Sequence, residues 1–100
     1  MNDVDEIVSN VYVGNINSAF NFRWLLSNNV KLIISFELFG MTEKYEKQLT
    51  SMKIRHFRVK LDDTPTSQIH LFFKQTYQLI SMYVNAGHPV LIHCFAGISR

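Results

Sequence analysis

One cysteine, two prolines and four glycines are all that this 100-residue chain holds of the residues that staple, stiffen or break a backbone. A single thiol cannot close an internal disulfide, so the fold must be held by a packed core. A free sulfur also suits a reducing compartment, cytoplasm or nucleus. Charge is sparse too. Only 18% of residues are charged, and the formal balance of +2 is too small for an electrostatic grip on nucleic acid or an anionic membrane. No apolar run is long enough to cross a bilayer. The opening Met1-Asn2-Asp3-Val4-Asp5-Glu6 is acidic and lacks the apolar centre of a secretory leader. Linkers, repeats and low-complexity tracts are missing. Apolar side chains are abundant, at 47% of the total, which is a globular share rather than a disordered one. The length sets one domain over residues 1–100.

The apolar residues follow an α/β pattern. Ile7-Val8 and Val11-Tyr12-Val13 flank Ser9-Asn10, which predicts two strands with a tight connection. Asn17 or Ser18 is expected to cap a helix starting at Ala19. Its apolar face would hold Phe20, Trp24, Leu25 and Leu26, and Asn28-Asn29 would lie at its end. Val30 to Phe36 fits a strand covered on both faces, as in a parallel sheet. Gly40 and Thr42 open a more polar surface helix, Glu43 to about Met52, with Glu43 and Lys47 one turn apart. Phe57, Val59 and Leu61 alternate with His56, Arg58 and Lys60, the period of a half-exposed strand near a sheet edge.

Asp62-Asp63-Thr64-Pro65-Thr66 is turn chemistry, and Thr66 or Ser67 can cap the longest helix. Ile69, Phe72, Phe73, Ile80, Tyr83 and Val84 recur on one face of that helix. Gly87 and Pro89 end it, and Val90-Leu91-Ile92 forms a buried strand. Alternating helices and strands predict an α/β fold, a largely parallel sheet flanked by helices. His56, His70 and His88 have no ligand-like spacing, so no metal and no cofactor are expected. The aromatic residues read as core rather than as stacking platforms.

The densest chemistry comes last, in His93-Cys94-Phe95-Ala96-Gly97-Ile98-Ser99-Arg100. A short loop after a strand can aim successive backbone N–H groups into one hollow, and such groups bind anions. Arg100 adds a planar fork matched to phosphate oxygens. A thiol at the rim of a positive hollow ionises readily and becomes a nucleophile. Gly97 permits a backbone approach that a Cβ would hinder. Phe95, Ala96 and Ile98 would contribute mainly N–H groups. Attack on a phosphate ester needs a proton for the leaving oxygen, and a nearby carboxylic acid can supply it. Asp62 and Asp63 are the candidates upstream, and both also read as solvated turn residues. A lone cysteine is commonly an inert buried hydrophobe. The residues around this one argue against that reading.

The pattern His-Cys-x-x-Gly-x-Ser-Arg resembles the signature of cysteine-based protein tyrosine phosphatases, and Ala96-Gly97-Ile98-Ser99-Arg100 is similar to its dual-specificity branch. Ile7-Val8, Val11-Tyr12-Val13-Gly14-Asn15, Ala19 and Leu25-Leu26 resemble the opening of those domains. The resemblance implies that the strand before the cysteine lies at the sheet centre and the strand before the acidic turn near an edge. It implies Cys94 as nucleophile, Arg100 and the loop amides as the phosphate clamp, and Asp63 rather than Asp62 as general acid. His93 and Ser99 would support the thiolate. Expected substrates are phosphotyrosine and phosphoserine or phosphothreonine proteins; some relatives use RNA, lipid or glycan phosphates. Rhodanese-like domains carry a loop of similar size, but His93 and Ser99-Arg100 disfavour them. Low-molecular-weight phosphatases place their loop near the N-terminus. In the resembled domains the chain continues into a helix behind the loop. Ending at Arg100 therefore predicts an incomplete domain lacking the C-terminal helices. The alternative is a catalytically impaired phosphate-binding or interaction module.

Overall fold

A computed structural model describes residues 4–37, 42–60 and 66–94, with the backbone alone at Glu37, Lys60, 66–70 and Cys94. In chain order these residues form β1 (Val4–Val8), β2 (Val11–Gly14), α1 (Ile16–Ala19), α2 (Phe22–Ser27), β3 (Leu32–Glu37), α3 (Glu43–Ser51), β4 (Arg55–Lys60), α4 (Thr66–Asn85) and β5 (Val90–Cys94). The sheet order is β1-β2-β5-β3-β4. β1 and β2 are antiparallel and turn through Ser9-Asn10, with Asn10 in the left-handed region at φ 69°. The remaining pairs are parallel. β5 is therefore central and β4 lies at an edge, as the family resemblance implied.

Three helix-to-strand corners share one hydrogen-bonding pattern. α2, α3 and α4 each run into a left-handed residue: Asn29 (φ 55°), Lys53 (φ 58°) and Gly87 (φ 82°). At each corner the following N–H reaches back to a carbonyl in the last turn: Val30 to Leu25 at 3.0 Å, Ile54 to Leu49 at 2.9 Å and His88 to Tyr83 at 2.9 Å. This closure satisfies carbonyls that a helix end leaves open, and it turns the chain into the next strand. Val30 and Leu25, like Ile54 and Leu49, lie in one core cluster. Asparagine and glycine suit the left-handed position. Lys53 does not, and its Cβ strain costs about 1 kcal/mol.

The first helical segment departs from expectation. It divides into two short helices because two asparagines each start a new one. The Asn15 side chain accepts from the Ser18 N–H and the Asn21 side chain from the Trp24 N–H, both at 3.1 Å. Asn15, not Asn17 or Ser18, is thus the first cap. The Ser18 hydroxyl instead donates to the Asn15 carbonyl at 2.7 Å. Leu26 and Phe20 are largely exposed, outside the expected apolar face, and so is Phe73 on α4. β3 begins at Leu32 rather than Val30, because the Val30 N–H closes the α2 corner and the Lys31 N–H bonds to Pro89. The capping of α4 and the position of Ile69 lie outside the described side chains.

The sheet has two unlike faces. Leu32, Ile34, Val90 and Ile92 point to α4, where Leu79, Ile80, Tyr83 and Val84 cover them. Ile33 and Leu91 point the other way, to a core with Ala19, Leu25, Tyr45 and Leu49 from α1, α2 and α3. Ser35, His56 and His93 belong to this second face.

Candidate active site

Alternation along β5 places each residue of the motif. Val90 and Ile92 face α4, while Leu91 and His93 face the α3 side. Cys94 is the last residue of this central strand and stands level with Phe36 of β3. On the other side of β3, Phe36 also stands level with Val59 of β4. Two strand spacings therefore separate Cys94 from Val59, roughly 10 Å between backbones. β4, which precedes Asp62 and Asp63, and β5 thus end on the same carboxyl-terminal side of the sheet. In open α/β sheets, ligands bind outside the carboxyl ends of the strands. Asp62, Asp63, Phe95, Ala96, Gly97, Ile98, Ser99 and Arg100 lie outside the described residues, as does the Cys94 side chain.

His93 is 1% exposed and anchors a line of polar side chains across the sheet. Its Nε2 lies 2.5 Å from Ser35 Oγ. The same oxygen lies 2.6 Å from Nε2 of His56. Nδ1 of His56 lies 2.7 Å from Glu46 Oε1, and Nη1 of Arg58 donates to Glu46 Oε2 at 2.9 Å. The line runs from a half-exposed ion pair on α3 and β4, through the buried Ser35, to the residue before Cys94. A Ser35 flanked by two imidazoles satisfies groups that would be costly if left bare in a dry core. Tyr45 packs its ring on His56 at 5.5 Å between centroids and donates to the Ala19 carbonyl at 2.6 Å. Burial, and then the Glu46 charge, push the Tyr45 phenol well above its usual range, so it stays neutral.

Sequence reasoning found His93 and missed Ser35, His56, Glu46 and Arg58. The polar face of β4 was expected to meet water, yet the His56 side chain is only 4% exposed. α3 covers it. The available signal was Ser35 itself, a hydroxyl inside the otherwise apolar run Leu32–Phe36.

A second concave feature lies at the opposite end of the sheet. A cleft of about 410 Å³ is lined by Lys31, Lys53, Arg55, Met82, Tyr83, Ala86 and His88. Those residues precede or begin the parallel strands, whereas Cys94 ends one. The cleft gathers cations but no nucleophile. Among the described residues no group of three His, Cys, Asp or Glu side chains could hold a metal ion. No helix among them is long and apolar enough to cross a membrane.

The geometry has its counterpart among known proteins. Residues 11–100 match the family described as dual specificity phosphatase, catalytic domain. The chain belongs to that family. It is 32% identical over 99 residues to MAP kinase phosphatase with leucine-rich repeats protein 1 of Dictyostelium discoideum, covering 96% of this chain and 11% of that protein. It is 32% identical over 100 residues to dual specificity protein phosphatase 15 of Mus musculus, covering 99% of this chain and 39% of that one. The crystal structure of human DUSP28 superposes with a TM-score of 0.76 at 17% identity, over 100% of this chain and 64% of that chain. The α/β fold with its central β5 is thus the fold of dual specificity phosphatases. The chain spans 11–55% of the length of the first three curated relatives it matches.

Proposed function

We propose that this protein hydrolyses phosphate monoesters on proteins through a phosphocysteine intermediate. The observation that carries the reading is the place of Cys94: it ends the central strand, directly after the buried His93, in a dual specificity phosphatase domain. The Cys94 thiolate attacks phosphorus, an S–P bond forms and the ester P–O bond breaks. Asp63 gives its proton to the leaving oxygen. Water then attacks the phosphocysteine, Asp63 takes a proton from that water, and sulfur leaves as a thiolate with a hydrogen bond from Ser99. The backbone N–H groups of Phe95, Ala96, Gly97, Ile98 and Ser99, with the Arg100 guanidinium, hold the phosphoryl oxygens throughout. His93 supports Cys94 from the strand. No step calls for a metal or cofactor.

The proposed substrates are phosphotyrosine and phosphoserine or phosphothreonine proteins, following the family's dual specificity, and a reducing compartment keeps the single thiol usable. The test is Cys94→Ser. It should abolish turnover of para-nitrophenyl phosphate while leaving phosphate-ester binding in place, because a serine hydroxyl is a far weaker nucleophile and the clamp is untouched. Hydrolysis by pure Cys94→Ser protein overturns the reading.

A further inference from the structure

The Glu46 carboxylate takes a hydrogen bond from Arg58, so it offers only acceptor oxygens, and the His56 Nδ1 facing it carries a proton. On the far side of the ring, one hydroxyl proton of Ser35 lies between two nitrogens, at 2.6 Å from His56 and 2.5 Å from His93. Ser35 is 0% exposed, so bulk solvent does not reach its hydroxyl. Two bare nitrogens would leave one facing an oxygen lone pair. Two protonated nitrogens would leave the hydroxyl proton with no acceptor. One of the two Nε2 atoms therefore carries a proton and the other does not.

This rule ties the two imidazoles together across β3. When His56 is neutral, its Nε2 accepts from Ser35, and Ser35 accepts from the Nε2–H of His93. The proton of His93 is then on Nε2 rather than on Nδ1. When His56 gains a proton, its Nε2–H donates to Ser35, Ser35 donates to His93, and the His93 proton sits on Nδ1. We infer that Ser35, His56 and Glu46 are positioning residues that set the tautomer of His93, and so the donor or acceptor character of the imidazole on the residue directly before Cys94. No heavy atom has to move; one proton enters at His56, the hydroxyl rotates, and the proton of His93 changes nitrogen.

Among the described residues, polar and titratable groups face His56 from each neighbouring element. α3 supplies Glu46 and Tyr45, β4 supplies Arg58, β3 supplies Ser35, and His93 on β5 lies beyond that hydroxyl. Tyr45 stays neutral, its phenol raised by burial and then by the Glu46 charge. The relay itself rests on geometry alone. Only its consequence at Cys94 rests on the phosphatase reading.

The test is imidazole nitrogen NMR on isotope-labelled protein between about pH 5 and 8. It is paired with the pH profile of Cys94 alkylation, the chain's single thiol. The expected result is that His93 moves its proton from Nε2 to Nδ1 at the pH where His56 becomes doubly protonated. The alkylation profile should show an inflection at that same pH. Glu46→Gln keeps an acceptor for His56 but removes the charge, and should move both changes together to lower pH. Ser35→Thr keeps the hydroxyl and should keep the coupling; Ser35→Ala should end it. A His93 tautomer that stays constant while His56 titrates overturns the inference, and so does coupling that survives in folded Ser35→Ala. Coupled tautomers without phosphate-ester hydrolysis would leave the relay standing and remove the phosphatase reading. Hydrolysis with uncoupled tautomers would do the reverse.

Discussion

The two faces of the same three strands solve opposite problems. Toward α4, Leu32, Ile34, Val90 and Ile92 meet Leu79, Ile80, Tyr83 and Val84, and the contact is apolar. Toward α3, one residue along each strand, Ser35, His56 and His93 form a buried polar line that ends in the Glu46–Arg58 ion pair. The apolar face is held by area removed from water, at about 25 cal/mol per Å². The polar face gains little net stability from each hydrogen bond and loses much if one partner is removed. The face that gains less from burial is the face that contains His93. Apolar packing and the buried polar line are thereby separated on alternate residues of one sheet.

That difference can be broken by substitution, and the largest expected effect is on the apolar face. Ile34 is fully buried, and Ile34→Ala should cost about 2–5 kcal/mol in urea unfolding while leaving the tautomer of His93 as it was. Ser35→Ala, one residue on, removes a single oxygen and strands imidazole nitrogens; a loss of about 1–3 kcal/mol is expected. If Ser35→Ala proves costlier than Ile34→Ala, the assignment of stability to the α4 face fails.

The smallest effect belongs to Tyr45→Phe. It leaves the Ala19 carbonyl without its 2.6 Å donor and should cost about 1 kcal/mol at neutral pH. Its pH signature is sharper than its size. The folded phenol is raised by burial, and then by Glu46, above the value near 10 of an unfolded tyrosine. Its contribution is therefore fully present below about pH 10 and is lost progressively as pH rises beyond it. Urea midpoints measured upward from that pH should fall less steeply for Tyr45→Phe than for the unsubstituted protein. Equal slopes would show that the buried phenol is not held neutral.

Much of this was legible in the sequence. The apolar run into His93 announced a buried strand, the family resemblance implied its central place, and Asn29 and Gly87 sit at the corners their left-handed tolerance suits. The split between α1 and α2 was hidden because Asn15, Asn17, Ser18 and Asn21 all have capping side chains, and local composition does not rank them. The polar line was hidden for a different reason. Period-two alternation tells which residues share a face of β4, but not what covers that face. The partners of Ser35 lie 21 and 58 residues away along the chain. His93 and Cys94 were readable because they are contiguous. Ser35, His56 and Glu46 become neighbours only once α3 closes over the sheet.

The central claim is that the polar face leads to a nucleophilic sulfur. The direct measurement is rapid acid quenching during turnover of a phosphorylated peptide, followed by peptide mapping by mass spectrometry. The expected result is a phosphoryl group on Cys94, present during turnover, decaying as substrate is exhausted, and missing from Cys94→Ser. Sustained hydrolysis with Cys94 unmodified at every quench time, or with the phosphoryl group on another residue, would contradict the account.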